Sequence, residues 1–157
     1  MNKEDYTLRI AKATPVQLVI INHELLVAFI ADALSAFEDG DISKFYKKIN
    51  LSKHALTQLI EGLDFENPIA QELYDLYLYA GERLNKALFS KDTDAAREVS
   101  EMFTTLLEGW QEIEHTPDDR IAAADEGEVL QVYAGLTYSK NGLSEYIPED
   151  ENRGFKA

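Results

Sequence analysis

From Thr14 to Gly40 the chain reads as one helix with apolar residues on almost every side. Thr14-Pro15 supplies its start. The threonine hydroxyl can accept an orphan amide at the N-cap, and a proline at the first helical position lacks only a proton the helix cannot use there. Leu18, Ile21, Leu25, Ala28, Phe29 and Ala33 follow at the i, i+3, i+4 spacing of a buried stripe. Val16, Val19, Ile20, Val27, Ile30, Leu34 and Phe37 form a second line over much of the opposite side. Facing one core takes only about 100° of apolar arc. A helix apolar over so much more is either enclosed by neighbours all round or keeps a face for something outside the chain.

The segments that follow supply neighbours. Gly40 ends the first helix as a C′ residue and Asp41 can cap the next. The second helix is expected over residues 42–63, with Phe45, Ile49, Leu56, Leu59, Ile60 and Leu63 inward and Lys44, Lys47, Lys48 and Lys53 outside. Asn67-Pro68 repeats the cap-and-proline start and opens a third helix over 68–89. Its inner face reads Ile69, Leu73, Leu76, Ala80, Leu84 and Ala87, and Tyr74, Tyr77, Leu78 and Tyr79 widen the apolar surface beyond it. Asp92 or Thr93 caps a fourth helix over 94–114, with Val99, Met102, Phe103, Leu106, Trp110 and Ile113 inward. Connections this short force neighbours to run antiparallel. The expected fold is all-α: an antiparallel, up-down four-helix bundle with a flexible N-terminal arm and an extra C-terminal tail.

The bundle and its arm occupy residues 1–116. Residues 117–157 form an extension expected to dock on the bundle or to be partly disordered, and their one strongly apolar stretch is Val129, Leu130, Gln131, Val132, Tyr133, Ala134, Gly135 and Leu136. A chain of 157 residues suits one domain. The absence of cysteine leaves no disulfide, thiolate metal site or catalytic thiol. A net charge of −14 repels phosphate backbones, so neither nucleic acid nor an anionic membrane is an expected partner. The acidic start lacks the apolar core of a signal peptide, and no apolar run approaches the roughly 18 residues of a membrane span. A cytoplasmic protein without membrane insertion is expected.

Chemical readings find little to stand on. A di-iron carboxylate site in a bundle needs two Glu-x-x-His pairs plus two further glutamates facing the core. Glu112 and His115 give one such spacing, at the end of the fourth helix, and there is no second copy. His23 and Glu24 are adjacent, so their side chains diverge around the helix. No nucleophile elbow or phosphate loop is present. The expectation is a non-enzyme with no metal and no cofactor, working by binding. Surplus apolar surface on the first and third helices either is core or forms a groove for an amphipathic partner helix with i, i+3, i+4 anchors.

Ala13-Thr14-Pro15-Val16-Gln17-Leu18-Val19-Ile20-Ile21 resembles the Ala-Ser-Pro-x-x-Leu-Val-x-Met opening of FliS-type flagellar export chaperones. Leu63-Asp64, Ile69-Ala70, Leu73, Leu76-Tyr77, Tyr79, Arg83-Leu84 and Ala87 are similar to that family's third-helix pattern in order and spacing, and Trp110 falls late in the fourth helix where the family favours it. The likeness spans residues 10–114. The chain departs from the family at Asn22-His23-Glu24-Leu25, at Ala80-Gly81-Glu82 and in its long tail.

The resemblance implies a cytosolic flagellin export chaperone without enzymatic activity. Its partner would be the C-terminal helical segment of flagellin, kept from premature polymerisation and passed to the flagellar export machinery. It also implies an N-terminal arm that packs over the binding surface; the arm is expected to shield apolar surface in the free protein and to move aside on binding. The residues expected nearest the partner are Ile10, Leu18, Ile21, Leu25, Phe29, Leu73, Tyr77 and Leu84. Residues 129–132 are similar to the apolar end of flagellin, so the tail either mimics the partner or docks for stability. The alternative to the chaperone is an acidic helical-bundle adaptor or regulator that binds another protein helix.

Overall fold

The computed structural model describes residues 3–115, which form five helices and no strand. They are α1 (Lys3–Lys12), α2 (Pro15–Glu38), α3 (Ile42–Glu61), α4 (Pro68–Ser90) and α5 (Thr93–Glu114). The four expected helices are α2 to α5. The flexible arm expected before Thr14 is instead a helix, α1. The proposed tail, residues 117–157, lies outside the described residues.

Local chemistry sets the boundaries. Thr14 and Gln17 make a capping box: the Gln17 amide donates to Thr14 Oγ1 at 3.2 Å, and the Thr14 amide donates to Gln17 Oε1 at 3.0 Å. Asp39 is the C-cap of α2, and Gly40 follows at φ +79°, the left-handed conformation that a side chain would strain. Asp41 accepts from the Lys44 amide at 3.0 Å to start α3, and Asp92 from the Ala95 amide at 3.1 Å to start α5. Asn67 occupies the N-cap of α4 without a side-chain hydrogen bond, so that start rests on Pro68.

Packing follows from the apolar arcs. α2 has its broadest contacts with α3 and α5, while α4 packs against the same two helices. α2 buries residues on several sides, including Leu18, Val19, Ile20, Ile21, Leu26 and Ile30. Its surplus hydrophobicity is therefore explained largely by enclosure. The same hydrophobicity corrects one expectation: by length and composition alone, α2 is apolar enough to cross a membrane. Most of that apolar stretch is buried against the rest of the protein, as in a core helix.

Two inward assignments also change. Tyr77, expected beside the inner face of α4, is fully buried and stacks on Phe103 of α5, with ring centroids 5.8 Å apart. Lys48, expected outside, keeps only 16% of its side chain exposed: its Nζ lies over the Phe29 ring, 5.6 Å from the centroid, and 3.5 Å from Asp32 Oδ2. A long aliphatic stem carrying a charged tip can cover a core residue in this way.

Candidate functional site

At one end of the molecule α1 lies across α2. Its sequence, KEDYTLRIAK, offers only Tyr6, Leu8 and Ile10 as large apolar residues. Ile10 is buried, Tyr6 is half-buried against the core, and Leu8 is 56% exposed. The attachment is completed by Arg9, whose Nη1 and Nη2 donate to the two Glu24 carboxylate oxygens at 3.0 and 2.7 Å. That bidentate fork holds Arg9 more firmly protonated than usual and sits over the Tyr6 ring at 5.6 Å. Beside it, Leu8, Arg9, Lys12, Gln17, Ile21 and Glu114 enclose a concavity of about 300 Å³.

A second concavity, of about 210 Å³, lies between the start of α4 and the end of α5. Ile69, Leu73, Leu106, Trp110 and Ile113 form its apolar walls, with Thr105 and Gly109 completing the rim. No charged side chain lines it. Ion pairing joins the same two helices farther along, where Arg83 Nε lies 2.8 Å from Glu98 Oε1 and the Tyr79 hydroxyl donates to Glu98 Oε2.

All eight residues expected near a partner are buried: Ile10, Leu18, Ile21, Leu25, Phe29, Leu73, Tyr77 and Leu84. The structure does not bring them together as one open face. Ile21 reaches the first concavity and Leu73 the second, while Ile10 lies on the underside of α1. The other five belong to the core alone.

These two concavities, the short helix over α2 and the surrounding bundle fall in one stretch of sequence, and residues 2–117 match the sequence model of a family described as "Flagellar protein FliS". The chain belongs to the FliS family. No curated protein matches it. FliS proteins are flagellar chaperones rather than enzymes, soluble in the cytoplasm, with flagellin as their kind of partner. Membership accordingly gives this FliS-family chain a chaperone function in flagellum assembly.

Residue reasoning missed one site in this FliS chain. His23, set aside as half of a divergent pair, is fully buried. Its ring lies 5.2 Å from Phe103, 6.3 Å from Trp110 and 6.4 Å from Tyr77, centroid to centroid. Nδ1 donates to the Val19 carbonyl at 2.8 Å, whereas Nε2 has no hydrogen-bond partner. Burial pushes its pKa down to about 4, against which the Val19 bond works only weakly, so the ring is neutral at pH 7. The signal was available: adjacent residues on a helix are 100° apart, so the outward Glu24 that meets Arg9 turns His23 inward. At the far end His115 is exposed, its Nε2 3.8 Å from Glu114. Among the described residues no cluster of His, Asp and Glu has the arrangement of a metal site.

Proposed function

We propose that this FliS chain holds the C-terminal helical segment of flagellin, with α1 as a displaceable cover over part of the surface that receives it. The antiparallel, up-down order of α2 to α5 belongs to this reading. It is supported by the short connections and by the ring of contacts in which α2 and α4 each meet both α3 and α5. An aggregation-prone segment that orders on binding loses several kcal/mol to its own ordering, so it gains most from an extended, rigid apolar template.

The observation that carries the reading is how lightly α1 is attached. A helix of ten residues is too short to persist alone. Its hold on α2 includes Ile10, the flank of Tyr6 and the partly exposed Arg9–Glu24 pair. Lifting it uncovers the α2 surface beneath Ile10 and opens the concavity at Ile21. First contacts with flagellin are placed at Ile21 and Leu73, with Ile10 acting as the cover. Leu18, Leu25, Phe29, Tyr77 and Leu84 reach the partner only if the bundle itself opens.

Calorimetric titration with a peptide covering the last ~40 residues of the cognate flagellin tests this. Binding at 1:1 with a negative heat-capacity change reports apolar burial and supports the reading. No heat at micromolar concentrations from a folded protein overturns it and favours the adaptor alternative, a bundle serving another helix. Deleting residues 1–10 is expected to change both flagellin affinity and solubility. If neither moves, the cover is not one.

A further inference from the structure

We infer that residues 129–136 of this same chain seat in the apolar groove between α4 and α5. Position comes first. Trp110 and Ile113 lie on the last turns of α5, which ends at Glu114, and the chain leaves the helix at His115 beside the groove it has just lined. Everything from Thr116 onward starts there.

Reach and local concentration follow. Residues 116–128 separate the exit from the octet, and a chain of that length reaches roughly 20 Å. That matches the few turns of helix separating the exit from Thr105 and from Ile69 across the groove. A tether of this length holds its cargo at about millimolar effective concentration, which no free ligand at micromolar levels matches.

Chemistry selects the segment. Residues 129–136 read Val-Leu-Gln-Val-Tyr-Ala-Gly-Leu, with no charge, and are the one strongly apolar stretch after residue 116. Asp118, Asp119, Asp125, Glu126 and Glu128 in the linker have no counterpart among the groove's lining residues, so the acidic run stays in solvent while the apolar octet does not. Size agrees. An apolar cavity of about 150 Å³ holds a benzene ring. At about 210 Å³ the groove holds one or two aliphatic side chains, which a short apolar cluster supplies. Any outside ligand for this groove then has to displace a tethered occupant.

The chain contains no cysteine, so Asp125→Cys gives a single site for a nitroxide label just outside the octet. With the labelled full-length protein, paramagnetic broadening of amide signals is expected to be concentrated at residues 69–73 and 105–113. That loss should be relieved when Leu130→Asp and Val132→Asp are added in the tail. It should also be relieved by Gly109→Leu, which fills the groove from a position whose added Cβ meets nothing within 4 Å. The two sets of variants are independent: the tail pair leaves the described core untouched, and a helix-favouring leucine replaces a helical glycine. Broadening that is absent, spread evenly, or unchanged by both sets overturns the inference. So does broadening carried wholly between molecules, in a mixture of isotope-labelled unmodified chains and spin-labelled unenriched ones, which would make the occupant a second copy. The sample contains no flagellin, so a failed flagellin titration and a failed broadening pattern are separate results.

Discussion

Arg9 and Glu24 join α1 to α2 through two parallel hydrogen bonds, 3.0 and 2.7 Å long, between residues on either side of the capping box at Thr14. The side chains retain 32% and 23% of their exposure, so the pair fastens the helix without locking it. Solvent reaches both ends of the contact. A bidentate pair in such a place contributes at the upper end of the surface range, about 1 kcal/mol.

Arg9→Ala should therefore loosen α1 alone. Amides of α1 are expected to exchange with solvent severalfold faster, by about the factor that 1 kcal/mol gives, while α2 to α5 keep their protection. Hydrogen exchange followed by mass spectrometry checks this. Unchanged exchange in α1 would show that Ile10 and Tyr6 hold the helix unaided.

His23 makes stability depend on pH in a calculable direction. Its folded pKa of about 4 lies below the ordinary 6.5, so the unfolded chain binds the proton more readily. The contribution is present above about pH 6.5 and is lost as pH falls toward 4, where the folded form begins to protonate as well. Between pH 7 and pH 5 the wild type should lose about 2 kcal/mol that a His23→Phe variant does not lose. Urea titrations of both proteins at the two pH values measure the difference, and parallel losses would mean that the ring is solvated.

Gly81→Ala should stabilise the protein. The residue lies inside α4, and an added Cβ would meet only Leu56 Cδ2 at 3.6 Å, an ordinary contact. Helix propensity then sets the gain at about 0.5–1 kcal/mol. A lower melting temperature would reveal a clash at the α3–α4 contact.

Lys91 caps α4 at φ +53°, the one positive φ outside glycine among the described residues. Lys91→Gly removes the Cβ penalty of that conformation and is expected to add about 0.5–1 kcal/mol. Its ammonium is exposed, so the gain should survive in high salt. Thermal melts at two ionic strengths provide the check.

Much of this architecture was written in short-range signals. Thr14-Pro15, Asp41 and Asp92 act as caps or first-turn residues as their chemistry demands, and Gly40 takes the left-handed position that ends α2. α1 escaped notice because KEDYTLRIAK carries too little apolar periodicity to announce a helix. What orders it is tertiary: an arginine finding a glutamate fifteen residues away, and Ile10 finding the core. The direction in which each α2 side chain points was illegible for the opposite reason. When nearly every side is apolar, periodicity no longer separates core from surface, so Leu18, Leu25 and Phe29 looked the same as groove residues. Periodicity sets Tyr77 beside the inner face of α4, whereas its ring packs in the core against both His23 and Phe103.

The enclosure of α2 by α3 and α5 also bears on how the protein is made. α2 is synthesised early and α5 last of the five, yet they pack side by side, so one flank of the most apolar helix stays bare until the chain has grown past residue 114. Contacts between segments so distant in sequence form late. A nascent or prematurely terminated chain thus displays a naked hydrophobic helix, and on the ribosome this chaperone is itself in need of one.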